Sequence, residues 1–253
     1  MKKKLLEIFF IWILIFVTGL SSSNACRTEK IDREVMLKTL ELHKEVIEYL
    51  EKENIELAFI GRKGMANKYI EYTHMGVIWK NGEEWTVTDL LQPCEGEKPH
   101  LYDEGVAEFF VYSKVSTVKL LIPSKKTQNE FKQTLINKEA DKFLGEKYNL
   151  LSYVWGTEYQ NCTQYILEVY SYTASGKIAD SRETALKWAK ENGYKPGELK
   201  APFITRNIAR LHKHLALDDH KDKKNLKIAT VDSIFEFVKN REPESVIIEF
   251  TAR

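Results

Sequence analysis

The segment Tyr159–Tyr170 reads YQNCTQYILEVY and has the pattern of a buried helix that begins at a cysteine. Asn161 is a favourable N-cap, because its side-chain oxygen can accept hydrogen bonds from the free N–H groups of the first turn. Leu167 adds a second apolar side, so we expect the helix to be covered nearly all round. The main apolar face has the spacing of a helix, with Tyr165, Ile166, Val169 and Tyr170.

The first residue of this predicted helix, Cys162, is a candidate nucleophile. The unpaired N–H groups and the positive end of the macrodipole favour a thiolate over a thiol at a helix start. The alternative is a small buried apolar residue, which is the usual situation of a free cysteine. Position alone leaves both interpretations open.

A second informative segment, Tyr72–Leu91, holds two runs of β-branched and aromatic residues around Asn81-Gly82. Asn-Gly between such runs predicts a β-hairpin. If these two residues form the loop, Lys80 pairs with Glu83. A three-residue bulged loop that ends at Glu83 would shift the pairing by one residue.

The register of this hairpin determines which side chain faces His74. The two-residue loop places Asp89 opposite His74, and the bulged loop places Thr88 there instead. Either side chain would fix the imidazole tautomer, which is the orienting role in a nucleophile–base–orienter set. The alternative is a histidine at a strand end that faces water.

The remaining pattern predicts an α+β fold with a central antiparallel sheet packed against the helix that starts at Cys162. We expect loops over Arg62–Tyr72 and Pro93–Gly105. Expected helices are Arg33–Asn54, Lys125–Lys142, Ser181–Asn192, Phe203–Leu217 and Thr230–Lys239, and expected strands are Ile55–Gly61, Val115–Pro123 and Ser245–Phe250.

Residues 1–25 have the pattern of a cleaved signal peptide, with a basic start, an apolar run over Ile8–Leu20 and small residues before the cleavage site. The apolar run is short for a membrane span, so we expect no transmembrane segment after cleavage. We predict a periplasmic or otherwise exported protein with residues 26–253 as one domain. Loss of three Lys and one Glu changes the net charge from +1 to −1, which gives nucleic-acid binding no support.

The chain has three cysteines, and export would place them where cysteines tend to pair. Cys26 and Cys94 lie in polar, loop-like surroundings, so a Cys26–Cys94 disulfide with Cys162 free is the economical arrangement. The alternative is a lipid anchor at Cys26, which would leave Cys94 free as well. A lipoprotein signal prefers an aliphatic residue where Ser23 stands.

A short segment near the C-terminus contains residue types that bind metals, but no second motif accompanies it. A charged, solvated helix end explains it equally well, and we expect neither a metal nor a cofactor. The glycines form no phosphate-binding pattern. The segment's candidate ligands are His212, His214, Asp218, Asp219 and His220.

Two motifs resemble the circularly permuted branch of the NlpC-like, papain-like superfamily: Thr73–Val77 with His74 and Gly76, and Asn161–Gln164 with Cys162. In that branch the histidine strand precedes the cysteine helix. The chain resembles more closely an uncharacterised exported bacterial family, domain of unknown function number 2145. The matching segments are Tyr72–Gly76, Trp85–Val87, Leu90-Leu91, Leu101–Gly105, Phe109-Phe110, Tyr148–Leu150, Tyr159–Asn161 with Gln164, and Thr230–Ser233.

The resemblance implies a papain-like thiol hydrolase or acyl-transfer enzyme. Cys162 would be the nucleophile, His74 the base, and Asp89 or Thr88 the orienting residue. The sequence departs from the family's pattern at Thr88, where relatives often carry a histidine. Some relatives also have serine at the position of Cys162.

The resemblance also implies how an oxyanion would be stabilised and which bonds would be cleaved. The backbone N–H of Cys162, helped by Gln164 or Asn161, would bind the oxyanion. The implied substrates are amides in peptidoglycan stems or peptides, and lipid acyl groups are the second option. The competing interpretation is a binding module that kept the fold and lost the chemistry.

Overall fold

The computed structural model describes residues 31–63, 70–92, 98–111, 117–201 and 215–252. Three series of elements follow one another along the chain. The first comprises α1 (Arg33–Lys52), β1 (Leu57–Arg62), β2 (His74–Asn81), β3 (Glu84–Leu91) and β4 (His100–Gly105). The second comprises α2 (Val106–Val111), β5 (Thr117–Ile122), α3 (Lys125–Ile136) and a 3-10 helix over Glu139–Phe143. The third comprises α4 (Cys162–Ala174), α5 (Arg182–Glu191), β6 (Gly197–Lys200), β7 (Asn225–Ile228), α6 (Val231–Arg241) and β8 (Val246–Thr251).

The predicted α+β fold with an antiparallel sheet is confirmed. Six strands pair in the order β4-β3-β2-β1-β5-β8, and every neighbouring pair is antiparallel. Strands β1 to β4 form a meander, and β5 returns to the other side of β1. Strands β6 and β7 form a separate antiparallel pair.

Both faces of the sheet are covered, because successive side chains of a strand point to opposite faces. On β1, Leu57 and Phe59 contribute to one apolar cluster, whereas Ala58 and Ile60 contribute to the other. Helix α4 packs in the first cluster against β2, and α1 and α2 pack in the second. The sheet therefore holds the start of β2 between two apolar layers.

The nearly complete covering of the cysteine helix is confirmed. Every residue of α4 from Cys162 to Thr173 is buried. Full burial of one large apolar side chain contributes about 1.5–3 kcal/mol, so this helix is a principal source of the stability of the fold. Its first residue is thereby fixed against the sheet.

Both predicted registers of the hairpin are wrong. Asn81 pairs with Glu84, and the two-residue loop is Gly82-Glu83. Gly82 has a φ of +64°, in the left-handed region that glycine adopts without a steric penalty. The φ of Glu83 is not positive. The glycine therefore takes the first loop position, and the pairing shifts by two residues from the predicted two-residue loop. A shift by two keeps every side chain on its predicted face.

The predicted loop Pro93–Gly105 is wrong over its second half, where β4 pairs with β3 as the edge strand of the sheet. This strand is polar and partly exposed, so it lacks the apolar run that marks a buried strand. The predicted helix Lys125–Lys142 ends early, because Lys138 has a left-handed φ of 56°.

The predicted helix Phe203–Leu217 lies mainly outside the described residues, and residues 215–217 are not helical. Within the described ranges, none of the helices combines the length and apolar character needed to cross a membrane.

Candidate active site

Helix α4 begins at Cys162, and the preceding residue holds the helix start in place. Asn161 is the N-cap, as predicted, and its Oδ1 accepts hydrogen bonds from the Gln164 N–H at 2.8 Å and the Thr163 hydroxyl at 2.9 Å. Its Nδ2 donates to the Leu150 carbonyl at 3.1 Å. The cap therefore joins the helix to the preceding loop and leaves Cys162 only 3% exposed.

Strand β2 begins at His74, and the imidazole contacts a buried carboxylate on the neighbouring strand. His74 Nε2 lies 2.5 Å from Asp89 Oδ2. Asp89 is fully buried, and His74 is 8% exposed. Extension of the observed register places Leu91 opposite His74, so Asp89 is a diagonal neighbour on the same face. Diagonal neighbours about 7–8 Å apart at the backbone are within reach of a long or aromatic side chain.

The glycine two residues after His74 makes room for this contact. Gly76 is the residue directly opposite Asp89. A Cβ atom at Gly76 would lie 2.9 Å from Val87 Cγ1 and 3.1 Å from Asp89 Cβ. Because real Cβ atoms do not approach buried neighbours so closely, glycine allows the two strands and Asp89 to keep this arrangement. The His-x-Gly pattern thus has a steric cause.

The Cys162 thiol lies close enough to His74 for each group to affect the pKa of the other, so the structure brings these two predicted residues near each other. Burial acts to raise the pKa of this thiol, but the charge of His74, its hydrogen bond and the Met75 N–H together hold the pKa below its ordinary value. Asp89 opposes them. Since Nε2 of His74 is occupied by Asp89, Nδ1 is the ring nitrogen left for the thiol. These interactions favour the thiolate form of Cys162 over what burial alone would allow.

Burial has the largest effect on the imidazole itself and lowers the pKa of His74. The negative charge of Cys162 acts in the opposite direction, and the Arg62 guanidinium lowers the pKa further. Phe109 lies beside the imidazole, with 5.8 Å between the two ring centroids. The His74 imidazole therefore lies in an apolar site with a carboxylate on one side and a cation nearby.

Tyr148 lies in a segment that carries the family resemblance, but no role at this site was predicted for it. Its hydroxyl lies beside Cys162, close enough for the thiol and the backbone N–H of that residue to affect its pKa. Burial is the largest cause that raises the pKa of Tyr148 well above its ordinary value, and Cys162 adds to it. The hydroxyl therefore stays protonated and lies where a backbone N–H points out of the helix start. Tyr148 pairs with Gln160 in an isolated bridge, which periodicity could not have shown.

A buried polar network supports the chain just before Cys162. Gln160 Nε2 donates to Glu168 at 2.6 Å, and Arg182 Nε donates to both Glu168 oxygens at 3.0 and 3.1 Å. Arg182 also donates to the Thr157 and Tyr159 carbonyls. Burial is the largest influence on Glu168 and raises its pKa to about 7, although Arg182 and Gln160 act against it. The network fixes the loop from which the cysteine helix starts.

Three other predicted site residues have different contacts. Thr88 does not orient His74: its hydroxyl accepts from Trp79 Nε1 at 2.9 Å and donates to Asp103 at 2.5 Å. Gln164 Nε2 donates to the Gly156 carbonyl at 2.8 Å, and the Asn161 side chain is occupied as the N-cap. The positions of these two side chains therefore do not support their predicted role in binding an oxyanion. The Cys162 backbone N–H remains the candidate for that role.

Several predictions fall on residues outside the described ranges. Cys26 and Cys94 lie outside them, so their disulfide stays a prediction, and Cys162 is free. His212 and His214 also lie outside. Among the described residues no group of three metal-ligating side chains occurs. The remaining candidates have structural contacts: Asp218 accepts from Tyr159, Asp219 accepts from the Tyr153 N–H, and His220 contacts the Leu151 carbonyl.

Comparison with known proteins identifies one family. A family described as an uncharacterized protein conserved in bacteria, DUF2145, matches residues 49–238, which is most of the chain. This range includes His74, Asp89, Tyr148 and Cys162. No curated protein and no solved structure matches the chain.

Proposed function

The chain belongs to the bacterial family DUF2145, and we propose that it is a cysteine-dependent hydrolase or acyl-transfer enzyme. Cys162 is the nucleophile, His74 is the general base, and Asp89 orients His74. The observation that carries the proposal is the series in which the Cys162 thiol lies beside His74 and His74 is hydrogen-bonded to Asp89. A nucleophile, a base and an orienting group in contact are the arrangement that covalent acyl transfer requires.

The buried environment supports this assignment over an ordinary structural cysteine. A structural cysteine in an apolar core has a raised pKa and is inert. Cys162 is equally buried, but His74 and the Met75 N–H lower the pKa of its thiol. A paired histidine and carboxylate are costly to bury in a core, so a stable fold has no need of them at this position.

The chemistry follows from these positions. The Cys162 sulfur attacks a carbonyl carbon, the C=O π bond becomes an oxyanion, and His74 holds the thiol proton. Collapse of the tetrahedral intermediate breaks the bond to the leaving amine or alcohol, which receives that proton from His74. The product is a thioester on Cys162. A water molecule or another acceptor then attacks the thioester, with His74 as base, and restores the thiol.

The oxyanion site is formed by the Cys162 N–H and the Tyr148 hydroxyl. The Cys162 N–H lies close enough to the Tyr148 oxygen to lower the pKa of that hydroxyl. A substrate carbonyl oxygen that arrives here accepts from this N–H, and the hydroxyl donates to the same oxygen. Two donors aimed at the developing charge stabilise the transition state more than the ground state.

The order of elements is the basis for a finer assignment. The histidine strand β2 precedes the cysteine helix α4, as in the circularly permuted NlpC-like, papain-like branch. We therefore propose that fold, together with export through residues 1–25 and amide substrates such as peptides or peptidoglycan stems. Lipid acyl groups are the second substrate class, because the same thioester chemistry serves esters.

An acylation experiment tests the proposal. The full chain is incubated with p-nitrophenyl acetate, and intact mass with peptide mapping locates the acyl group. We expect one acetyl group on Cys162, none there in Cys162→Ala, and much slower acetylation in His74→Ala. Subsequent loss of the acetyl group to water indicates a hydrolase, and its transfer to an added amine or alcohol indicates an acyltransferase. If Cys162 is not acetylated, or if His74→Ala reacts equally fast, the protein is a binding module and the proposal is wrong.

A further inference from the structure

Arg62 is a buried cation at the candidate active site that the mechanism above does not use. It is the last residue of β1 and the direct cross-strand partner of His74. Cross-strand partners point to the same face, so the guanidinium and the imidazole share one side of the sheet. Arg62 is only 3% exposed. The sequence had placed it in a loop.

Phe109 on α2 holds the Arg62 side chain. The Arg62 Nη1 donates to the Phe109 carbonyl, and the guanidinium carbon lies 4.2 Å from the centroid of the Phe109 ring. The same ring lies beside the imidazole of His74. Arg62 therefore has a fixed position relative to His74, since both pack on one aromatic side chain. A guanidinium is expensive to bury, so a methionine or leucine would serve a purely structural role at lower cost.

The charged groups around this site come from several elements. Asp89 lies on β3, Cys162 at the start of α4 and Arg62 on β1. The buried Glu104 lies on β4 opposite Val87, and therefore on the same face of the sheet as Asp89. On α2, Glu108 accepts a hydrogen bond from the Gly105 N–H, and Phe109 is uncharged. Burial is the largest cause that lowers the pKa of His74, and the positive charge of Arg62 lowers it further.

We propose that Arg62 is a positioning residue that sets the proton affinity of His74 in the Cys162–His74 pair. When His74 takes the thiol proton, the adjacent guanidinium makes the imidazolium a stronger acid. The imidazolium then gives its proton more readily to the leaving group, while Asp89 keeps the ring oriented. This role deepens the proposed function and rests on it for its catalytic meaning.

The test is the titration of His74, followed by the NMR signal of its imidazole Cε1–H in the full chain and assigned with His74→Ala. In Arg62→Met we expect the midpoint to rise by about one pH unit. Arg62→Lys keeps a positive charge and should return the midpoint close to that of the unmodified protein. The matched control is Arg241→Met, because Arg241 also lies over an aromatic ring, that of Trp188, but far from His74 in the chain.

A second readout links the titration to catalysis. The rate of Cys162 acetylation depends on the protonation of His74, so we expect the pH at which the rate changes to move upward in Arg62→Met together with the NMR midpoint. Failure of acetylation in the unmodified protein would refute the proposed function, whereas the NMR titration would still report on Arg62.

The inference is overturned if Arg62→Met leaves the His74 midpoint unchanged, or if Arg62→Lys shifts it as much as Arg62→Met does. If Arg62→Met does not fold, Arg62→Gln replaces it, since a glutamine can still donate to the Phe109 carbonyl. The same upward shift is expected of that variant, and an unchanged midpoint in it overturns the inference equally.

Discussion

Substitution of Gly76 by alanine tests the steric basis of the His74–Asp89 contact. The added methyl group would meet Val87 Cγ1 at 2.9 Å, and Asp89 Cβ and the Thr88 carbonyl oxygen at 3.1 Å. Carbon atoms normally pack about 3.5–4.0 Å apart. Val87 and Asp89 are fully buried, so neither side chain can move into solvent. Strands β2 and β3 must therefore separate by several tenths of an ångström beside His74.

The expected cost follows from two opposing effects. Overpacking of a filled interior costs about 1–3 kcal/mol. Replacement of glycine in a strand interior raises the free energy of unfolding by about 0.5–1 kcal/mol, because the unfolded chain becomes less flexible. We therefore expect Gly76→Ala to lower the free energy of unfolding by roughly 1–2 kcal/mol. We also expect Cys162 acetylation to slow by roughly tenfold, since Asp89 is displaced from His74.

Urea unfolding and the acetylation rate measure the two effects. Gly105→Ala is the matched control in the same sheet, because its new methyl group would meet only Glu108, at 3.7 Å or more. That variant should keep its stability or gain up to about 1 kcal/mol, because it gains from the stiffer unfolded chain without overpacking, and it should leave acetylation unchanged. If Gly76→Ala is as stable and as reactive as the control, the steric explanation of the His-x-Gly pattern is wrong.

Three further outcomes are expected. Asp89→Asn should slow acetylation of Cys162 roughly 100-fold or more by removing the charge behind His74, whereas Thr88→Ala should change it little; equal effects would contradict the assignment of the orienting residue. Tyr148→Phe should slow acetylation by roughly 100-fold while the far-ultraviolet circular dichroism spectrum is unchanged, and an unaltered rate would remove Tyr148 from the oxyanion site. The pKa of Glu168 is raised from 4.5 to about 7 mainly by burial, so its ionisation costs the folded state stability as pH rises through this interval. Urea unfolding should show a loss of roughly 3 kcal/mol from this group between pH 4.5 and 7, and Glu168→Gln should remove that slope.

The sequence predicts the helix starts well, because these depend on local chemistry. Asn161, Ser181 and Thr230 all accept hydrogen bonds from the first turn of their helices. The amphipathic and apolar patterns likewise predicted α1, α4 and the central strands. Asp89 was predicted beside His74 although the predicted hairpin register was wrong. An error of two residues keeps each side chain on the same face of its strand.

Features that depend on tertiary contacts were missed. Strand β4 is polar and gains its stability from pairing with β3, so no apolar alternation marks it. Tyr148 belongs to a single isolated bridge, and Arg62 stands at the end of a strand where the pattern resembled a loop. Their positions beside Cys162 and His74 follow from the packing of four separate segments, and no local pattern in the chain records such packing.

The most direct test of a paired nucleophile is the pKa of the Cys162 thiol, measured from the pH dependence of its alkylation by iodoacetamide with peptide mapping. In the unmodified protein we expect the midpoint below the ordinary value of 9.0, because the His74 charge, its hydrogen bond and the Met75 N–H outweigh burial. In His74→Ala burial still raises the pKa of the thiol, but the group that lowers it most is gone. The midpoint should therefore rise above that value. A midpoint at or above 9.0 in the unmodified protein, unchanged by His74→Ala, would show that Cys162 and His74 do not act as a pair.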